Sequence, residues 1–320
     1  MLHRFIIALA SLTISAQAMA ADPYPSRPVR VIVPYSAGGT TDFVARQAAQ
    51  KLSENLGKSF VVENKPGASG TIGTVQVARA APDGYTLLAN DTTYTMLPGL
   101  FKTLPWDHAK DLVPVTVIAQ TPVILIVPAG SQFKSLQQLI DFARKNPNKL
   151  NFGSGGAGSS THLAAAVFER EAGIKMTHVP YKGAGDALMG LVASNVDVLV
   201  TATPTAIPQI KGGKARALAV SGSARLTSTP DVPTFAEAGL KSYNVSNWFG
   251  LAAPKGTPPE IVALLQKEVQ KSVNDKDVKE RLLSMGATPG GETSAAFSRR
   301  IAEDTKMWTD VAKSADVKPE

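Results

Sequence analysis

Three short stretches gather the residues that binding or catalysis would need: Ser36 to Asp42 (SAGGTTD), Gly153 to His162 (GSGGAGSSTH) and Gly183 to Asp186 (GAGD). Each follows an apolar run and precedes a helical pattern, so each is read as a strand-to-helix turn. At such a turn glycine lets the backbone approach a ligand, and the first helical N–H groups point outward without partners. The helix dipole adds partial positive charge, worth about 0.3–1 kcal/mol per anion in ordinary geometry. Ser154, Ser159, Ser160 and Thr161 add hydroxyl donors, and no arginine occurs in any of the three stretches. One such turn is explained by tight turning and helix capping alone. Three at the same end of their strands point to a site where backbone N–H and hydroxyl groups hold a carboxylate.

Catalytic constellations are sparse. Gly153 to Gly158 satisfies G-x-G-x-x-G, but the next strand ends at Tyr181-Lys182 without the acid that would hold a ribose, so no dinucleotide or other cofactor is expected. Gly158-Ser159-Ser160-Thr161-His162 ends in histidine where a nucleophile elbow needs glycine, and Leu52 stands where a phosphate loop ending in Gly57-Lys58-Ser59 needs one. His108, His162 and His178 are too scattered for a metal cage. Ser159 or Ser160 with His162 has the spacing of a nucleophile pair, yet a histidine in a first helical turn is read as a polar lid or cap. Asp42, Asp91 and Asp186 sit near helix starts or strand ends, the positions of capping acids, with Asp91 and Asp186 also able to face ligand. The chain is not expected to be an enzyme.

The elements around these turns alternate. Val29 to Pro34 is read as a strand, Asp42 to Leu56 as a helix capped by Thr40 or Thr41, Ser59 to Glu63 as a strand, Val75 to Ala81 as a helix and Tyr85 to Ala89 as a strand. VPVTVIA and VILIVPA, separated by Gln120-Thr121-Pro122, are read as two runs belonging to two sheets. Then come the helix Ser135 to Lys145 and the strand Leu150 to Phe152. The helix Ser160 to Ala172, the strand Thr177 to Pro180 and the helix Asp186 to Ala193 follow. The strands Val196 to Thr201 and Ala217 to Ser221 precede a return run, Tyr243 to Ala252. From Thr257, read as a cap, three helices follow, the second closed by Gly286. Continuous apolar strands between helices indicate sheets covered on both faces.

Arg4, the apolar run Phe5 to Ile14 and the A-x-A signal Ala18-Met19-Ala20 read as a secretory leader, with Ala21 as the new first residue. That run is about half of the ~20 residues a membrane span needs. Export to the periplasm is therefore expected. The 320 residues suffice for two lobes, and the absence of cysteine removes disulfides, thiolate nucleophiles and a lipid tether. The net charge of +7 falls to +6 when Arg4 leaves with the leader. No basic block accompanies it, so no nucleic-acid partner is expected, while a diffuse positive field favours the arrival of anions.

The segments VRVIVPYSAGGTTDFVARQAAQKL, VVENKPGASGTIGTVQVARAAPDGYTLL and NFGSGGAGSSTHLAAAVFEREAGIKMTHVPYKGAGDAL resemble the substrate-binding receptors of tripartite tricarboxylate transporters, the Bug-type family. The likeness continues through VDVLVTATPTAIPQIKGGKARALAVSG and covers nearly the whole mature chain. It implies an α/β, two-lobed type II periplasmic-binding-protein fold, each lobe a mainly parallel sheet flanked by helices and joined by two crossing strands. The expected division is a signal peptide over 1–20, a discontinuous lobe 1 over 21–121 and 246–320, and lobe 2 over 122–245. Family ligands are mostly di- and tricarboxylates, acidic amino acids and aromatic carboxylates, with some neutral amides. The resemblance implies a monomer that captures a small organic acid between its lobes and delivers it to integral membrane transporter subunits. A receptor feeding a signalling sensor, or an enzyme on the same fold, are the alternatives.

In that family Pro34 to Gly39 and Ser154 to Thr161 match the loops that grip one carboxylate, partly through water, and Asp186 matches an acid that contacts an amino group or a water. Tyr35 stands where phenylalanine is common. The expected ligand-facing set is Pro34, Tyr35, Ala37, Gly38 and Gly39, then Asp91 and Thr92, then Ser154, Gly155, Gly156, Gly158, Ser159, Thr161 and His162, then Lys182, Gly183, Asp186 and Thr203. Lys182 as the main counter-charge is the competing account of the grip.

Overall fold

A computed structural model describes residues 23–314; the expected leader and its cleavage point lie outside them. In chain order the first half holds β1 (Val29–Val33), α1 (Thr40–Leu56), β2 (Phe60–Asn64), α2 (Thr71–Ala78), β3 (Thr86–Asp91), α3 (Thr93–Leu100) and β4 (Leu112–Pro128). The chain continues through α4 (Leu136–Lys145), β5 (Asn151–Ser154), α5 (Ser160–Ala172), β6 (Thr177–Pro180), α6 (Ala184–Val192), β7 (Val198–Ala202), α7 (Thr203–Lys211) and β8 (Ala215–Val220). It closes with β9 (Ser246–Pro254), α8 (Pro259–Asn274), α9 (Lys276–Ser284), β10 (Thr288–Pro289) and α10 (Ser294–Ser314).

The strand order is β2-β1-β3-β9-β4-β7-β5-β6, with β8 and β10 also paired to β4. Each half has three parallel strands, β2-β1-β3 and β7-β5-β6, and the long strands β4 and β9 run antiparallel to their neighbours. β4 changes partners along its length. Leu112 to Pro122 pairs with β9, while Val123 to Pro128 pairs with β7 and β8. The two apolar runs read from the sequence are thus one strand, and Pro122 interrupts nothing because it sits where the partners change.

Apolar residues on alternate positions explain the layering. Val29, Val31 and Val33 of β1 pack with Val44, Ala48 and Leu52 of α1 and Leu265 of α8, whereas Ile32 faces Val77 of α2, Leu97 of α3 and Phe297 of α10. In the other half Val123, Leu125 and Val127 face α4 and α5, and Ile124 and Ile126 face α6 and α7. Both faces of both sheets are therefore buried, as period-two strands with apolar residues in both phases require. α10 begins against the first sheet through Phe297 and Ile301 and ends in the second core through Trp308 and Ala312.

Several boundaries differ from the sequence reading. Thr40 and Thr41 do not cap α1; they are its first two residues, and Gly39 occupies the cap without a side-chain bond. Thr257 does not cap α8, because its hydroxyl donates to Pro254 O at 2.8 Å and Pro258 precedes the helix. α2 starts four residues earlier than read, on a turn in which Gly67, Ala68, Ser69 and Gly70 all have positive φ. α3 and α7 are additional helices, each short and each containing a proline. Gly286 closes α9 as expected, with φ +70° just past the helix end.

Candidate functional site

Five helices start at one place between the two sheets. α1 and α3 come from the first half, α5, α6 and α7 from the second, and their opening residues Thr40, Thr41, Thr93, Ser160, Thr161, Ala184 and Thr205 line a common cavity. Tyr35, Ser36, Gly39, Asp42, Asp91, Gly155, Ser159, Thr201, Ala202, Asn247 and Phe249 complete its wall. The cavity measures about 30 Å³, room for about two waters or one carboxylate group. Neither lysine nor arginine lines it, so the positive potential there comes from helix N-termini.

On the first lobe the loop after β1 is fixed by acids. Asp42 accepts from Gly38 N at 3.1 Å, Arg46 Nε at 3.0 Å and Asn64 Nδ2 at 3.1 Å. Burial works against its charge, but these donors outweigh it and hold the carboxyl below its ordinary range. Asp91 is buried and its two oxygens accept from Tyr35 Oη at 2.9 Å, Thr93 N at 2.9 Å and Thr41 Oγ1 at 3.1 Å. Burial raises its pKa even so, and burial beside Asp91 keeps the Tyr35 phenol protonated. Gly38 has φ +83°, a left-handed angle that favours glycine, and a Cβ there would meet nothing within 4 Å.

On the second lobe the loop after β5 is fixed by neutral groups. Ser159 caps α5 by accepting from His162 N at 3.3 Å, and Thr161 Oγ1 accepts from Gly155 N at 2.8 Å and bonds Ser159 Oγ at 3.0 Å. His162 Nδ1 accepts from Gly158 N at 3.0 Å, and Ser154 Oγ bonds His178 Nε2 at 2.6 Å. The two imidazoles stack with centroids 3.8 Å apart. Burial, with His178 beside it, pushes His162 down to about 3, and burial pushes His178 down to about 4.

The two lobes touch through these loops. Ser36 N donates to Lys182 O at 3.3 Å, Ser160 N to Thr93 Oγ1 at 3.0 Å, and Thr40 and Thr205 share a 2.8 Å hydroxyl bond. Ser69 Oγ donates to Ala157 O. A Cβ on Gly185 would lie 2.2 Å from Ala37 O, and one on Gly183 would lie 2.3 Å from Ser36 Oγ. Past Gly155, which borders both, lies a second cavity of about 250 Å³ lined by Ser69, Phe101, Gly156, Tyr181 and Lys182 among others.

Of the expected residues, Tyr35, Gly39, Asp91, Gly155, Ser159 and Thr161 line the inner cavity and Gly155, Gly156 and Lys182 the outer one. Pro34, Ala37, Gly38, Ser154, Gly158, His162 and Gly183 shape the loops without lining either. Asp186 lies in the first turn of α6, outside both walls. Thr92 exchanges bonds with the Trp248 backbone and Thr203 donates to Gly286 O, so both hydroxyls serve the fold. The sequence reading missed Thr201, Thr205, Asn247 and Phe249, which arrive from β7, α7 and β9. Thr203-Pro204 was the available signal for α7, since proline favours a first helical turn. Ser36 Oγ, Thr201 Oγ1 and Asn247 Oδ1 are buried at the cavity with no partner among the described residues. Buried polar atoms are normally bonded, so three orphans at one cavity mark where a polar ligand belongs.

Residues 44–317 match the model of the tripartite tricarboxylate transporter family receptor. The Bordetella pertussis protein BugT is 36% identical over 305 residues, covering 95% of this chain and 94% of its own. A protein of R. palustris solved with adipate superposes with a TM-score of 0.89 at 36% identity, over 93% of this chain and 100% of that one. MatC from Rhodopseudomonas palustris, with bound malate, gives a TM-score of 0.86 at 34% identity, over 90% and 99%.

Proposed function

The chain belongs to the tripartite tricarboxylate transporter receptor family, and from that premise we propose that it is an exported, monomeric periplasmic receptor that binds one small organic carboxylate between its lobes and hands it unchanged to membrane transporter subunits. The observation that carries the ligand class is the convergence of five helix N-termini on a cavity without a cationic side chain, beside three orphaned polar atoms. One carboxylate fills the inner cavity, and the body of the ligand extends past Gly155 toward Lys182. The relatives solved with adipate and malate support small dicarboxylates as the first ligands to try. Lobe 1 is taken as 21–121 with 246–320 and lobe 2 as 122–245, a division supported by the change of partners in β4 at Pro122 and the return of β9 at Ser246. The leader is taken as cleaved between Ala20 and Ala21.

Calorimetry with adipate, malate and the uncharged diamide of adipate tests this. A dicarboxylate should bind at one per chain and the diamide at least tenfold more weakly. Thr201→Val removes an orphaned hydroxyl and should cost about 1.5–3 kcal/mol of binding, roughly 10- to 150-fold. Equal binding of acid and diamide, or a Thr201→Val protein with unchanged affinity, would overturn the reading.

A further inference from the structure

The turn between β2 and α2 holds its backbone in a conformation that two of its residues do not favour. Gly67, Ala68, Ser69 and Gly70 have φ of +132°, +46°, +52° and +87°. Glycine adopts such angles freely, but in alanine and serine the left-handed region sets Cβ against the following carbonyl oxygen. Ser69, with ψ +35°, lies squarely in that region. The turn has little room to relax. Lys65 N donates to Val33 O at 2.8 Å on one side of it, and Thr74 Oγ1 donates to Gly70 O at 2.8 Å on the other. A Cβ on Gly70 would lie 3.0 Å from Tyr35 Oη, and one on Gly73 would lie 2.8 Å from Pro34 Cβ. Turn and helix therefore press against the loop after β1. Strain of this kind persists where the surroundings over-determine it, and it collects at ligand clamps and switches.

The strained serine reaches across to the other lobe. It is buried, its Oγ donates to Ala157 O, and its Cα lies 3.7 Å from where a Cβ on Gly156 would stand. Ala157 belongs to the glycine-rich loop after β5, between Gly155, which borders the inner cavity, and Ser159, which caps α5. The outer cavity has Gly67, Ala68 and Ser69 on its first-lobe side and Gly156, Ala157 and Tyr181 on its second-lobe side. Both partners of the bond are part of that wall. The bond thus ties the lobes together beside the space assigned to the body of the ligand.

We propose that Ser69 is a closure latch, held at a strained backbone angle, that sets how long a bound ligand stays. Its bond to Ala157 forms when the lobes meet around the ligand and must break before they part. This inference rests on the receptor reading above. A contact made only in the closed state slows release without speeding capture, because the encounter takes place while the cleft is open. Ser69→Gly relieves the backbone and loses the latch in one step. Fold stability and ligand residence then respond to different features of the same residue, the backbone angle and the hydroxyl. A serine that serves the fold alone would not divide them in this way.

Ser69→Gly and Ser69→Ala separate the two features, since both remove the hydroxyl and only the first relieves the backbone. Adipate and malate are the probes, with association and dissociation rates read by stopped-flow fluorescence and melting read without ligand. Both variants should release the diacid about tenfold faster, the effect of one lost hydrogen bond, with association within about twofold of the parent. Ser69→Gly should melt about 2 °C above Ser69→Ala. Unchanged dissociation in the two variants, or an affinity loss carried by association alone, would overturn the latch and leave the receptor reading in place. So would equal melting of the two variants, because the serine would then sit unstrained. A parent protein that binds neither diacid overturns the receptor reading itself, and the latch with it.

Discussion

On the first lobe the loop that reaches the cleft is braced by carboxylates, Asp42 and Asp91, each accepting three bonds; on the second it is braced by hydroxyls and two stacked imidazoles that stay neutral. Both braces leave the glycine backbone in place, yet they do so with opposite electrostatics. Two buried acids at an anion site look like a contradiction. Their oxygens, however, are turned toward Tyr35, Thr41, Thr93, Arg46, Asn64 and Gly38, and the side-chain atoms left over at the cavity are two hydroxyls and the oxygen of one amide. The difference teaches that the residues which look most chemical here are scaffold, which under the proposed function leaves the ligand to backbone and plain hydroxyls. It also makes the two lobes fail differently.

The largest difference should appear on removing one brace from each lobe. Asp91→Ala leaves three buried donors without an acceptor, which should cost about 3–5 kcal/mol of stability. His178→Ala frees one serine hydroxyl that keeps its contact with Gly156 and loses two ring stacks, with Phe152 and His162, which should cost about 1–3 kcal/mol. Urea unfolding of both variants at pH 7 checks the order. Equal costs would mean that the two braces are equivalent.

Acid should act through the buried histidines, His162 and His178 in the second lobe and His108 in the first, which burial also pushes down to about 4. In the unfolded chain His162 and His178 take up protons below about pH 6.5, while in the folded chain they resist until about 3 and 4. The unfolded state therefore binds more protons across that window, and stability falls as pH falls. Between pH 7 and 5 each histidine should account for about 2 kcal/mol of loss. Asp42 adds nothing there, because its lowered pKa makes its contribution disappear only below the unfolded value near 3.8. His178→Gln should flatten the fall, measured as the difference in urea midpoints at the two pH values. A variant that keeps the full slope would show that the imidazole pair is not the acid-sensitive element.

What the sequence reveals follows the range of the forces involved. The turns at Ser36–Asp42 and Gly153–His162 are local, since glycine and hydroxyl residues between an apolar run and a helical pattern decide them within ten residues. Both were legible, as were the lobes, because strands with apolar residues in both phases are buried on both faces. α3 and α7 were not, because eight or nine residues with a proline inside carry little periodicity. Thr201, Asn247 and Phe249 were not legible either. They become cavity residues only through the pairing of β7 and β9 with β4, a register that no local pattern announces. The partners of Thr92 and Thr203 were not legible for the converse reason. They flank a site residue or a helix start in sequence, but their hydroxyls are taken by Trp248 and Gly286, partners more than eighty residues away.

The smallest effect separates the two glycines that look alike in the two loops. Gly38 and Gly156 both have positive φ, +83° and +126°, so alanine at either strains the backbone by about 1–2 kcal/mol. Around Gly38 there is open space, and its N–H bond to Asp42 needs no particular side chain. Around Gly156 a Cβ would lie 3.1 Å from Ser69 Oγ, the hydroxyl that crosses from the first lobe to Ala157 O, and 3.4 Å from Tyr181 O. Gly38→Ala should therefore lower stability by about 1 kcal/mol and leave the affinity for a dicarboxylate within about twofold. Gly156→Ala should lose a similar amount of stability and also weaken binding by about tenfold, because it displaces a contact made only when the lobes meet. Calorimetry on the two variants separates strain within a lobe from obstruction between lobes. If Gly38→Ala weakens binding as much as Gly156→Ala, the first loop is held less firmly by its acids than its hydrogen bonds imply.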